Sequence, residues 1–208
     1  MKSIFTNLAL FVCLAIAFSG LTGCSNNIPT QNGSVDESPQ ASSNANTQAD
    51  IEEAKKKNNP HYRPLEKAVD QGEIKNLDGS TFKIADKRGK VLLLNMWATW
   101  CGPCRSEMPT LVRMQEEHRD RGFEVIGLNT DDETVEAINK FADEMKLNYT
   151  LVWVDTAMQT ALLRISKFGG IPQSFIIDRD GNLRGVFRGA NPADVKKMEE
   201  LIGMIVSE

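Results

Sequence analysis

The chain has 208 residues, with 24 Lys and Arg against 28 Asp and Glu and a formal net charge of −4. Such a length suits one or two domains, and a mild negative balance without basic clusters argues against nucleic acid as a partner. Four cysteines and two histidines offer little material for a zinc centre.

The first sixty residues do not read as domain material. Lys2 precedes an apolar stretch from Leu8 to Phe18, followed by Leu21-Thr22-Gly23-Cys24. A charged start, a short apolar core and small residues before a cleavage point make a secretory signal peptide, here residues 1–23. The apolar run is short for a membrane span, although an uncleaved anchor is the alternative. Leu-Thr-Gly-Cys resembles the lipobox of bacterial lipoproteins, which implies lipid on Cys24 and a firm membrane hold. Ser25 after that cysteine, by resemblance to known sorting signals, leans towards the outer membrane where the cell has one, with the inner membrane still open. Residues 24–60 then form a tether. From Ser25 to Asn59 the chain is rich in Ser, Asn, Gln and Thr and bears almost no large apolar side chains, so burial cannot offset its ordering entropy. Ile51 to Lys57 could form a brief helix.

Residues 61–208 carry alternating strand and helix patterns. Glu73–Leu77 and Thr81–Ala85 flank Asp78-Gly79, a hairpin signal. Val91–Met96 is an apolar run that reads as a buried strand. A helix follows from Cys101 to Arg119, with Met108, Leu111, Val112 and Gln115 inward and a kink expected at Pro109. Phe123–Asn129 is a strand, and Glu133–Lys146 a helix with Val135, Ile138, Ala142 and Met145 at helical spacing. Tyr149–Asp155 is strand-like. Thr156 can cap a helix whose face bears Ala161, Leu162, Ile165 and Phe168 and which Gly169-Gly170 ends. A second hairpin, Ser174–Asp178 and Leu183–Phe187, turns at Asp180-Gly181. Asn191 and Pro192 start a last helix with Val195, Met198, Leu201, Ile202 and Ile205 inward. This order implies an α/β sandwich with a mixed central sheet flanked by helices.

The chemistry concentrates in Trp100-Cys101-Gly102-Pro103-Cys104. Cys13 falls in the leader and Cys24 takes lipid, so Cys101 and Cys104 are the pair left to the domain. At a helix N-terminus, unpaired amides and the dipole favour a thiolate, so the Cys101 pKa should lie below the ~8.5 of a free thiol. Cys101 is then the nucleophile and Cys104, one turn further in, the resolving thiol. Gly102 lets another backbone approach, and Pro103 pre-forms the first turn. The bland reading, half of a zinc knuckle, fails because no second pair exists. Of the histidines, His61 stands at the tether's end, and His118, within Gln115-Glu116-Glu117-His118-Arg119, reads as a solvated helix residue.

The segment from Leu94 to Pro109 resembles the active-site stretch of the TlpA/ResA-like thiol–disulfide oxidoreductases of the thioredoxin-like superfamily. The resemblance implies a thioredoxin-like fold with an N-terminal β-hairpin. It makes Gly170-Ile171-Pro172 the cis-proline loop, with Ile171 and Pro172 facing the disulfide and binding extended substrate beside Trp100, Gly102 and Pro103. The buried Asp that thioredoxins place six residues before the first cysteine is Asn95 here. Glu107, three residues after Cys104, matches the family's Glu, which implies a role in tuning the thiols and passing protons; the alternative is a first-turn acid serving the helix dipole. Trp97 reads equally as core or as part of the site, and Trp153 as core. The family implies reduction of protein disulfides or thiol partners, apocytochrome c among them, with electrons from an integral-membrane donor and no bound cofactor or metal. Gly-Pro between the cysteines is the dipeptide of strongly reducing thioredoxin. A monomer on the extracytoplasmic, periplasmic side of the membrane is expected. Two other readings stay open: a thiol peroxidase of the peroxiredoxin-related group, whose Pro-x-x-x-Thr/Ser-x-x-Cys context the residues before Cys101 do not fit, and a non-catalytic tethered module that docks extended chains at Pro172.

Overall fold

The computed structural model describes residues 62–208. The leader, Cys24, the tether with its Ile51–Lys57 segment, and His61 lie outside the described residues. Eight strands form one sheet: β1 (Arg63–Pro64), β2 (Ile74–Asn76), β3 (Thr81–Phe82), β4 (Val91–Trp97), β5 (Phe123–Asn129), β6 (Thr150–Trp153), β7 (Gln173–Ile177) and β8 (Asn182–Arg188). Five helices accompany them: α1 (Lys67–Asp70), α2 (Gly102–His118), α3 (Val135–Met145), α4 (Thr156–Ser166) and α5 (Pro192–Val206). The strand order is β1-β8-β7-β4-β5-β6-β2-β3. β4, β5 and β6 are parallel, with α2 and α3 as the crossovers, and the remaining pairings are antiparallel.

All seven residues of β4 are buried, as expected of a strand covered on both faces. Its period of two divides the core. Leu92, Leu94 and Met96 pack with Val69 of α1 and with Met158, Ala161 and Leu162 of α4. Val91 and Leu93 face Leu111 and Met114 of α2 and Met198, Ile202 and Ile205 of α5. A third cluster joins Trp97 and the two domain cysteines to Met108, Ile138 and Phe141. The CxxC pair therefore sits at the end of the central strand, against packed side chains rather than on a loose loop.

The mixed sheet between helices and the N-terminal hairpin are as read from the sequence, and several boundaries differ. The hairpin turns at Gly79, which has φ +87°, beneath an Asp78 side chain that accepts from the Ser80 amide and hydroxyl. Its second strand stops at Phe82, because Ile84–Lys87 winds into a 3₁₀ turn that buries Ile84. α4 is capped by Asp155, which accepts from the Met158 amide, and not by Thr156. The carboxylate precedes the first helical residue and so meets the free amides that Thr156, already helical, cannot reach. α4 also ends earlier than the Gly pair, at Lys167 in the left-handed region. Phe168 consequently leaves the helix face and is exposed. Within α2, Met114 is buried while Val112 is half-buried. His118 is buried, not solvated: its ring stands edge-on to Phe123 and contacts Arg121. The charged neighbours suggested solvent, but the last turn of α2 lies over the start of β5. Trp153 is half-buried and donates Nε1 to the Glu133 carbonyl at 3.1 Å, instead of filling the core. α2 continues as one helix through Pro109.

Candidate active site

β4 delivers the chain to the site and α2 receives it. Beyond Trp97 the backbone turns, with the Cys101 amide donating to the Ala98 carbonyl at 3.1 Å. Cys101 is the N-cap of α2, in extended conformation, and its Sγ accepts from the Cys104 amide at 3.2 Å. A sulfur in this position meets one of the amide donors that a helix start leaves open. The same sulfur is bonded to Cys104, the two Cα atoms being 5.3 Å apart. Cys101 is 3% exposed and Cys104 0%, whereas Gly102 and Pro103 between them are exposed. The outer sulfur thus lies just beneath a small accessible patch, and the inner one is sealed in.

Behind the disulfide lies a buried polar network. Glu107 stands one turn after Cys104 on the same helix face and is itself buried. Asn95, on the β4 face that looks at α2, donates Nδ2 to Glu107 Oε1 at 2.7 Å and to Ser174 Oγ at 3.0 Å. Ser174 is the register partner of Asn95 across β4 and β7. Burial pushes the Glu107 pKa up to about 7, and the Asn95 hydrogen bond opposes this only in part. A carboxyl so placed changes charge near neutrality. A first-turn acid that merely complements a dipole would be solvated; Glu107 is not.

The loop before β7 completes the site. Ile171-Pro172 is the cis peptide bond of the described residues, Ile171 packs against the cluster that holds both cysteines, and the Pro172 carbonyl accepts from the Gly189 amide at 2.8 Å. Trp100 is 69% exposed, with its indole N–H held by Asp131. Trp97 is fully buried and stacked on Phe141 with ring centroids 5.1 Å apart, so it belongs to the core. Glu133 braces the turn: it accepts from the Thr99 hydroxyl and, at 2.6 Å, from Asn129 Nδ2. Sequence reasoning missed Asp131, Glu133, Ser174 and the nearby Tyr149 as site residues. Ser174 lies 79 positions from Asn95, and only strand register brings them together. Asp131 and Glu133, by contrast, follow directly on β5, where the ends of neighbouring parallel strands gather, and that placement was available as a signal. Among the described residues no group of three or more His, Cys, Asp or Glu side chains could hold a metal ion.

A cysteine pair at the helix end that follows a central parallel strand, beside a cis proline, defines a thioredoxin-like protein. The chain belongs to the Redoxin family, whose model matches residues 64–202. It is 33% identical over 110 residues to the thiol-disulfide oxidoreductase ResA of Bacillus cereus, covering 53% of this chain and 61% of that protein. To the ResA of Geobacillus thermodenitrificans it is 30% identical over 130 residues, 62% of this chain and 72% of the relative. The chain thus spans less than two thirds of the Bacillus relative. Among solved structures, a thioredoxin-family thiol:disulfide interchange protein of Chlorobium tepidum matches with a TM-score of 0.58 and 27% identity, over 71% of this chain and 97% of that one.

Proposed function

We propose that the protein is a thiol–disulfide oxidoreductase that reduces disulfides of protein substrates, as an extracytoplasmic domain tethered to the membrane through lipid on Cys24. The observation that carries the redox reading is the Cys101–Cys104 disulfide at the start of α2, with Cys101 capping the helix. Similarity to proteins named thiol-disulfide oxidoreductase ResA supports the substrate class, and the Gly-Pro dipeptide between the cysteines, that of strongly reducing thioredoxin, supports the direction. The leader and lipobox reading of the sequence supports the location.

In the reduced form Cys101 is the thiolate, stabilised by the Cys104 amide and the helix start. It attacks one sulfur of the substrate disulfide. That S–S bond breaks, and the other substrate sulfur leaves as a thiolate. Cys104 then gives its proton to Glu107 and attacks Cys101 Sγ. The intramolecular disulfide forms, the mixed disulfide breaks, and the substrate departs with two electrons as a dithiol. The proton on Glu107 passes to the departing thiolate, and the thiolate released in the first step takes its proton from water. The strand of substrate nearest the sulfur lies along Ile171 and Pro172, with Trp100, Gly102 and Pro103 as its other contacts. An integral-membrane thiol donor returns two electrons to the pair, and apocytochrome c is one suitable substrate.

Trapping tests this reading. Cys104→Ser retains the attacking sulfur and removes the resolving one, so mixed disulfides on Cys101 should accumulate in cells and be identified by mass spectrometry. Their absence, with Cys101→Ser fully functional, would leave only a tethered binding module.

A further inference from the structure

Among the described residues the exposed large apolar side chains are Trp100, Phe168 and Met204. Trp100 precedes the attacking cysteine, Met204 lies on α5, and Phe168 opens the loop that carries Ile171 and Pro172. The backbone of that loop is held from within. Lys167, in the left-handed region, closes α4, and the Phe168 amide donates to Ser166 Oγ at 3.2 Å. Gln173, buried at the head of β7, turns its side chain back along the loop. It donates Nε2 to the Phe168 carbonyl at 3.0 Å and to the Gly170 carbonyl. The Pro172 carbonyl is taken by the Gly189 amide. Gly170 has no side chain, and the Phe168 ring covers the space: a Cβ there would lie 2.9 Å from Cζ and 3.0 Å from Cε1. The ring is thus set over Gly170, the neighbour of Ile171, and is still 39% exposed.

We propose that Phe168 is a specificity-determining residue that receives an apolar side chain of the substrate, one flanking the cysteine under attack. This rests on the reading of the site as one that reduces disulfides of protein substrates. Ile171 packs against both the cluster that holds the cysteines and the cluster beneath α4. The loop therefore carries the docking surface from the sulfur pair across the end of the sheet to Phe168. While the neighbouring carbonyls are occupied, the Ile171 amide and carbonyl bond to no described residue. An extended segment laid there gains main-chain bonds at Ile171 and is selected by the side chains on either side. Side chains of such a segment alternate between its faces. The residue about two positions from the reacting cysteine shares its face, and lies towards Phe168 on one side and towards Trp100 on the other. The Phe168 ring offers apolar atoms alone, and its backbone bonds are spent on Ser166 and Gln173. A polar side chain arriving there would lose water without gaining a partner, whereas a leucine or phenylalanine would bury area against the ring.

Single-turnover reduction tests this. The full chain is reduced with dithiothreitol, freed of it and mixed with disulfide peptides, with Cys101→Ser as the background. Each turnover closes the Cys101–Cys104 bond and opens one peptide S–S bond. The peptides differ only in carrying serine at both flanks, or leucine two positions before or two positions after the attacked cysteine. One leucine placement should lower the half-saturating concentration about tenfold relative to serine. Phe168→Ala should abolish that preference, and Phe168→Leu should retain it. Should the alanine variant not fold, Phe168→Gln, which keeps a stem over Gly170 and removes the apolar face, decides in its place. Leucine preferences that survive the loss of Phe168 at both placements, or no leucine preference in the wild type, overturn the proposal. So does an equal weakening of all the peptides, which would make Phe168 a support of the loop alone. Failure of the wild type to reduce any of the peptides would instead overturn the reading of the site as a disulfide reductase.

Discussion

Glu107 holds a carboxyl where its charge is disfavoured, and that has a thermodynamic signature. Its pKa rises from an ordinary 4.5 to about 7, so the folded protein keeps a proton that the unfolded chain releases. Between those two values the folded state binds more protons, and stability must fall as pH rises through the window. Above pH 7 the full penalty remains, on the order of 3 kcal/mol. Glu107→Gln should therefore flatten the pH dependence of the urea midpoint between pH 5 and 8 and raise stability above pH 7. An unchanged slope would mean that the carboxyl is solvated. On the role proposed for Glu107, the same variant removes the proton acceptor of the inner thiol, so resolution of a mixed disulfide should slow by about 10²-fold or more, as for loss of a general base. Stopped-flow measurement of that step checks it.

At the scale of elements, two local devices can be tested separately. Gly127 sits in the middle of β5, where a methyl group would meet Leu151, Trp97 and Tyr149 at 2.7 to 3.3 Å. Gly127→Ala should cost about 1–3 kcal/mol by overpacking, read as a lower denaturant midpoint. α3 is capped by Thr134, whose hydroxyl accepts from the Ala137 amide at 3.2 Å. Thr134→Ala should cost about 1 kcal/mol and leave the redox step untouched. Elements of this kind were largely legible. An unbroken apolar run located β4, which is buried on both faces, and helical spacing located α2 to α5, whereas the short β1 and α1 carried no pattern long enough to read. Errors fell where two residues compete for one local role, as Asp155 and Thr156 do for the α4 cap. They also fell where a neighbouring element overrides a polar context, as β5 does for His118. For the site, the cysteines and Trp100 were readable because they sit in one short contiguous motif, whereas the cis proline was read from the family resemblance and not from its local sequence. Glu107 was readable only as a position, since its burial depends on β4 and β7.

Across the whole molecule, Arg179 binds distant segments together. It donates Nη1 to the Gly89 carbonyl at 3.2 Å, and Nη2 to the carbonyls of Arg121 and Val206 at 3.1 Å each. Those acceptors precede β4, precede β5 and end α5. Arg179→Met preserves much of the stem and removes all three bonds. It should cost about 1–3 kcal/mol, seen as a lower unfolding midpoint with activity per folded molecule unchanged. The amino-acid sequence by itself determined the sulfur pair, the helix that begins there and the alternation of elements, because each depends on residues a few positions apart. Tertiary structure alone decided that Glu107, Asn95 and Ser174 join in one buried network. Strand register and helix packing join residues that are far apart in the chain, and the energy of a buried charge depends on what surrounds it in space.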